Sequence, residues 1–374
     1  MSEPPVICHL TSVHSPHDVR ITVKECTSLR KKGYGVHLVH LGSPVEPING
    51  ICLHAAGPLE ESRLQRMFFG VWRVFSVAVR LKAQIYHFHD PELLFVGLFL
   101  KLLGKKVVYD VHEDVPRQTL SKHWIDQRLR RLMSKTIEII EAVAGRCFDA
   151  VVVATPYIGE RFAAINRNTF VINNFPINGE LAGDASLDGE RRREVCYVGG
   201  ISVDRGIKEM VSAAEKAQVK LILAGEFSNA AERAEVESMP GWKDVEALGF
   251  VGRQQVREIL TQSIAGLVVL RPIVNYFVSQ PIKMFEYMAA GIPVIASDFP
   301  LWKEIVEGHE CGICVDPLDG GAVAAAIEWI LDNPTEARLM GERGRRAVLD
   351  VYNWEREEEK LYSLYEGLSG KATV

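Results

Sequence analysis

Two charged side chains three residues apart, Lys283 and Glu286, stand near the start of the segment SQPIKMFEYMAAGIPVIASDFPLWKEIV, Ser279 to Val306. Ser279, Gln280 and Pro281 do not propagate a helix, Lys283 to Ala290 favour one, and Pro281 suits its first turn. Gly291 ends that helix, and Pro293 to Ser297 reads as a short apolar strand closed by Asp298 and Pro300. At a spacing of three, Lys283 and Glu286 share one face of the first turn, beside backbone N–H groups and the positive end of the helix dipole. That setting suits a diphosphate, with Glu286 free to accept from ribose hydroxyls.

A second chemical segment is YVGGISVDRGIKEMVSAAEKA, in which a strand, the pair Gly199 and Gly200, a short loop and a helix follow one another. This order lets backbone N–H groups approach phosphate, and Arg205 just before the helix adds a guanidinium. Further upstream, HFHDPELL and VVYDVHEDVP each place His and Asp after a buried strand, giving His89, Asp90 and His112 as candidates. Ligands of open α/β sheets bind outside the carboxyl ends of strands, where these residues would lie. Asp18 and Arg20, in TSVHSPHDVRI, occupy the loop after the first strand in the same way.

The elements that must position these groups alternate as in a doubly wound α/β protein. Strands are expected at Val6 to Leu10, Val36 to Leu41, Ile85 to Phe88, Lys106 to Tyr109 and Ala150 to Ala154, with a helix at Ile21 to Lys32. A polar, glycine-bearing stretch from Asn173 to Arg193 reads as an interdomain linker. Beyond it, strands are expected at Val195 to Val198, Lys220 to Ala224 and Ala265 to Val269, with helices at Ile207 to Lys216 and Gln255 to Gln262. A length of 374 residues with 47% hydrophobic content suits two domains.

PIKMFEYMAAGIPVIAS resembles the nucleotide-sugar signature of retaining glycosyltransferases of family 4, which have the GT-B fold. The resemblance covers nearly the whole chain. It implies two Rossmann-like doubly wound domains facing a cleft, with a C-terminal helix, YNWEREEEKLYSLYEGL, crossing back to the first domain. On that pattern residues 1–175 form an acceptor-side domain, 176–193 a linker, 194–350 a nucleotide-sugar domain and 351–374 the crossover helix. His112, Arg205 and Lys283 are the implied catalytic residues. Gly199, Gly200, Arg205, Phe250, Lys283 and Glu286 are the implied nucleotide-sugar contacts, Phe250 through the GFVG loop that in relatives meets the nucleobase or else simply ends a strand. Asp18, Arg20, His89, Asp90, Ser279 and Gln280 are candidate contacts to the donor sugar or acceptor.

Two departures from the family pattern bear on the donor. Many relatives carry a second glutamate eight positions before the one matched by Glu286, where this chain has Val278, so that Ser279 or Gln280 would meet the sugar instead. Relatives also carry a basic residue after the first glycine, where this chain has Gly200. The implied reaction moves a sugar from a nucleotide-diphosphate sugar, with a UDP sugar placed ahead of the others, to a saccharide or lipid-linked saccharide with retention, in surface polysaccharide assembly. A nucleotide-sugar epimerase of the same fold, or a catalytically impaired homologue acting as a binding partner, are the alternatives.

No metal or cofactor is expected, because no acidic pair stands out and Cys311 with Cys314 forms a lone C-x-x-C that reads as strand. Seven scattered cysteines fit a reducing compartment, and the absence of a leader pattern or an apolar run of membrane-spanning length points to the cytoplasm. Residues 1–180 hold 22 Lys and Arg against 17 Asp and Glu, the remainder 21 against 31, and ten of eleven histidines lie in the first half. That asymmetry suits an anionic partner of the first half or an ordinary solvated surface, and no nucleic acid is implied. Residues 63–82, RLQRMFFGVWRVFSVAVRLK, read either as a helix lying in a membrane interface or as a core helix with snorkelling arginines.

Overall fold

The computed structural model describes residues 5–59, 62–122, 125–181 and 191–370. The chain forms two compact units, Met1–Asn174 with Arg356–Val374, and Phe175–Glu355. Each is a parallel sheet flanked by helices. The expected linker, 176–193, falls partly outside the described residues.

In the first unit the strands are β1 (Val6–Leu10), β2 (Gly35–His40), β3 (Cys52–Ala55), β4 (Ile85–Phe88), β5 (Lys106–Val111), β6 (Ala150–Val153) and β7 (Thr169–Val171), in the order β3-β2-β1-β4-β5-β6-β7. All described pairings are parallel. The central strands are buried along their length, the pattern of a sheet covered on both faces. Chain order reverses between β1 and β4, so the crevice at their carboxyl ends is the switch point where such folds bind ligands. Thr11, Ser12, His89 and Asp90 follow those two ends.

The helix expected over Ile21 to Lys32 is instead a π-helix, Val19–Cys26, continued by an α-helix, Thr27–Lys31. One π-helical turn brings residues five apart onto the same side, and Arg20 and Glu25 therefore point inward together. Segment 63–82 contains helical turns Arg63–Gln65, a π-segment Arg66–Gly70 and an α-helix Val71–Arg80. Val71, Val74 and Ala78 enter the core, whereas Leu64, Met67, Phe68, Phe69 and Trp72 are exposed. The segment thus has one buried apolar face, as a core helix would, and one exposed apolar face.

The second unit has β8 (Glu194–Val198), β9 (Lys220–Ala224), β10 (Val245–Gly249), β11 (Ala265–Val268), β12 (Val294–Ser297) and β13 (Gly312–Val315), in the order β10-β9-β8-β11-β12-β13. Its switch point lies between β8 and β11, and Gly199 and Gly200 leave the carboxyl end of β8 there. The helix Ile282–Ala290 begins one residue after Pro281, which occupies the cap position, and ends at left-handed Gly291 with φ 72°. Cys314 stands in β13. The last helix, Trp354–Ser369, adds its residues from Arg356 onward to the first unit. There Glu357 accepts from the Asn173 backbone N–H at 2.9 Å, and Ser28 donates to Glu358 at 2.6 Å.

Candidate active site

In the second unit Gly199 adopts φ 127°, a backbone conformation that side-chain-bearing residues rarely take, and a Cβ there would sit 3.0 Å from Lys283 Nζ. The glycine therefore admits the lysine, whose ammonium lies 3.7 Å from the centroid of the Tyr197 ring, a cation–π contact. Burial, then the charge of Arg205, hold the Lys283 pKa well below the usual lysine range, while Glu286 opposes them. Arg205 donates from Nη1 to Gly200 O at 3.0 Å, and the Tyr197 hydroxyl donates to the same carbonyl at 2.8 Å. A Cβ at residue 200 would stand only 2.8 Å from that guanidinium nitrogen. Gly200 thus leaves room for Arg205, which explains the departure from a basic residue at this place: the cation arrives from five residues downstream.

Glu286, one turn further along the same helix, is buried, and it is not free as the sequence implied. Arg253 donates from Nη1 to Glu286 Oε1 at 2.6 Å and clamps Glu180 through Nε at 2.7 Å and Nη2 at 2.9 Å. That bond engages one Glu286 oxygen, Oε1. Sequence reasoning missed Arg253, whose place at the first turn of the helix Arg253–Gln262 looks like an ordinary surface position. Phe250 follows β10 and is 84% exposed. Ser279 donates to Tyr276 O at 3.1 Å and its own carbonyl accepts from Trp302 Nε1 at 2.8 Å, whereas Gln280 Oε1 is a buried acceptor without a partner among the described residues.

Among the first-unit candidates Asp90 is enclosed, 2% exposed, and accepts from Thr11 Oγ1 at 2.8 Å and from the Ser12 backbone N–H at 2.6 Å. His14 bridges Asp18 and Asp90, each at 3.4 Å, and its ring lies 5.1 Å from that of His112. Burial lowers the His14 pKa, but Asp18 and Asp90 outweigh it and raise it overall. His112 is partly exposed, with Nε2 2.9 Å from Asp110 Oδ2.

Arg20 and His89 are enclosed as well, and both are turned onto Asp110 where the sequence had offered them as contacts to the donor sugar or acceptor. Arg20 is 4% exposed, bidentate on Asp110 at 3.1 and 3.0 Å, and bonded to Ile172 O at 2.9 Å. His89 is equally enclosed, with Nδ1 3.2 Å from Asp110 Oδ2. Both hold Asp110, which in turn orients His112. Asp110 escaped the sequence reading, although D-x-H in a strand puts both side chains on one face.

Two Rossmann-like units with charged groups gathered at their switch points define the GT-B class of glycosyltransferase folds. Residues 184–347 match the family Glycosyl transferases group 1 and residues 19–175 match Glycosyltransferase Family 4. The MMP alpha-(1->4)-mannosyltransferase of Mycolicibacterium hassiacum is 21% identical over 289 residues, 74% of this chain and 69% of that protein. Sucrose-phosphate synthase from Thermosynechococcus elongatus shares the fold with a TM-score of 0.79 at 21% identity, covering 98% of this chain and 100% of that one. Anabaena Alr3699/HepE, solved in complex with UDP-glucose, gives 0.73 at 15% identity, covering 98% and 99%. The chain belongs to the family 4-type glycosyltransferases.

Proposed function

We propose that this protein transfers a sugar from a nucleotide-diphosphate sugar to a saccharide or lipid-linked saccharide, with retention of anomeric configuration, in surface polysaccharide biosynthesis. The observation that carries this is the convergence of Arg205 and Lys283 on the Gly199–Gly200 loop, with Glu286 one turn along the helix from Lys283. As the glycosidic bond breaks, the leaving diphosphate gains negative charge, and fixed cations lower the barrier by meeting it. Glu286, oriented by Arg253, takes the ribose hydroxyls, and His112, oriented by Asp110, takes the donor sugar. No carboxylate nucleophile is assigned; the leaving phosphate assists attack from the same face, and the acceptor hydroxyl needs positioning. A UDP sugar is the preferred donor, supported by the UDP-glucose complex of the Anabaena neighbour.

A thermal-shift panel of UDP, GDP, ADP and their common sugar conjugates tests the reading, since a ligand of the folded state raises the melting midpoint. A shift with one nucleotide, lost in Glu286→Ala, is expected. No shift with any of them would overturn it, and nucleotide release without sugar incorporation would favour epimerisation or hydrolysis.

Peripheral contact with the inner face of the cell membrane belongs to the same proposal. Among the described residues no helix is long and apolar enough to cross a membrane. Phe68 and Phe69 are 67% and 64% exposed, and Trp72 touches Phe99 at 5.3 Å on the neighbouring helix Leu94–Leu102, where Phe95 and Leu102 are also exposed. Such a patch suits insertion at the headgroup level. Flotation with anionic liposomes should carry wild type and leave behind a folded Phe68→Ser, Phe69→Ser, Trp72→Ser variant; equal flotation would sink the idea.

A further inference from the structure

Beneath the strand-end site, His9 in β1 stands in register opposite His87 in β4, and His89 is two residues further on the same face. Glu25 enters from the π-helix, and all four side chains are enclosed. One donor atom from each lies within 4.8 Å of the others. His9 Nδ1 is 2.9 Å from His89 Nε2, and Glu25 Oε2 is 4.0 Å from both His9 Nδ1 and His87 Nδ1. Arg20 engages the other Glu25 oxygen at 3.0 Å, so Oε2 is the one turned to the imidazoles. Among the described residues that oxygen has no hydrogen-bond partner. A carboxylate oxygen walled off from water without a donor is costly, and such groups are usually paired or bound to a metal.

We propose that His9, Glu25, His87 and His89 bind a structural zinc ion. Three imidazoles and one carboxylate form a closed four-donor set of the kind zinc takes, and bonds of about 2.0–2.1 Å need donors about 3.3 Å apart, inside the spread seen here. The outer groups fit as well. The remaining His89 nitrogen, Nδ1, faces Asp110 Oδ2 at 3.2 Å, the carboxylate–histidine arrangement that fixes the tautomer of a metal ligand. The Tyr365 hydroxyl, 2.8 Å from His87 Nδ1 and 3.4 Å from His9 Nε2, passes to His9 Nε2 when the metal takes Nδ1. Enclosure means that the ion enters as the chain folds. The zinc ties β1, β4 and the π-helix together and takes no part in sugar transfer, so this inference stands apart from the donor reading.

The test uses the full chain expressed in zinc-supplemented medium, with metal content measured after gel filtration. About one zinc per chain is expected, kept in His54→Ala, which removes the surface pair His37 and His54, and lost in Glu25→Gln. Refolding the wild type with Co2+ should give the intense visible bands of a tetrahedral site, and this holds as the deciding measurement if Glu25→Gln does not fold. Zinc-free wild type, weak octahedral cobalt bands, or full zinc retention by folded Glu25→Gln would each overturn the proposal.

Discussion

Arg253 reaches Glu286 at 2.6 Å while holding Glu180 with its other two nitrogens, so the Glu286 carboxylate is itself fixed in place. Charge-assisted bonds of this kind restrict a side chain in position as well as charge. Arg253→Ala should weaken UDP binding about tenfold, on the order of 1.4 kcal/mol, as read by titration calorimetry. Arg253→Lys should recover only part of that, because an ammonium cannot make the fork. Wild-type affinity in Arg253→Ala would show that Glu286 needs no support.

Gly200→Ala puts a methyl group within 2.8 Å of Arg205 Nη1. Arg205 is a long side chain and will move aside, so the melting temperature should hold while the bond to Gly200 O is lost. Nucleotide affinity should fall by on the order of 1 kcal/mol. A variant that melts early with unchanged affinity would contradict this account.

Lys283 has a pKa below its usual value, chiefly through burial and then through Arg205. Between that lowered value and the ordinary one, the folded chain binds fewer protons than the unfolded chain, so stability rises with pH across the window. Lys283→Met should flatten the rise. A bound diphosphate restores the ammonium, so UDP binding at about pH 8 should take up a proton, seen as a dependence of the binding heat on buffer ionisation enthalpy. Identical heats in two such buffers would refute it.

Arg20 is enclosed with Asp110 and Glu25. Arg20→Ala leaves two carboxylates buried without their cation, and denaturant unfolding should show a loss of about 3–5 kcal/mol. A loss below about 1 kcal/mol, the size of an exposed pair, would mean the cluster is far less desolvated than it looks.

His112→Asn removes the partly exposed imidazole above Asp110 and should lower turnover by about 10²–10³ with UDP affinity unchanged. Steady-state rates alongside calorimetry distinguish this from a folding defect. Unchanged turnover would move the sugar contact elsewhere.

The central strands of both units were legible because each is a short apolar run between turn residues. The edge strands β3 and β7 were not, since half-exposed sequences such as CLHA and TFV carry little periodic signal. Lys283, Glu286 and Arg205 stand out by local spacing, and the structure brings Lys283 and Arg205 to one loop. Arg253 lies 33 residues from Glu286, and nothing local marks the pairing. Glu25 was hidden for another reason: a 3.6-residue pattern turns it away from Arg20, and only the wider π-turn brings both inward. Arg20 and His89 misled because a polar residue after a strand looks the same whether it faces solvent or supports the residue that does.

Tyr365 hydrogen-bonds His87 at the centre of the first unit, although the two are 278 positions apart in the chain. The first unit therefore lacks part of its interior until the last helix has been made, whereas the second, continuous from Phe175 to Glu355, is complete earlier. During synthesis the usual order is inverted: the later unit can close first, and the N-terminal half waits at the ribosome with an open core. A product ending near residue 355 would hold an intact second unit joined to an unfinished partner, and quality-control proteases would meet it at its beginning and not at its cut end.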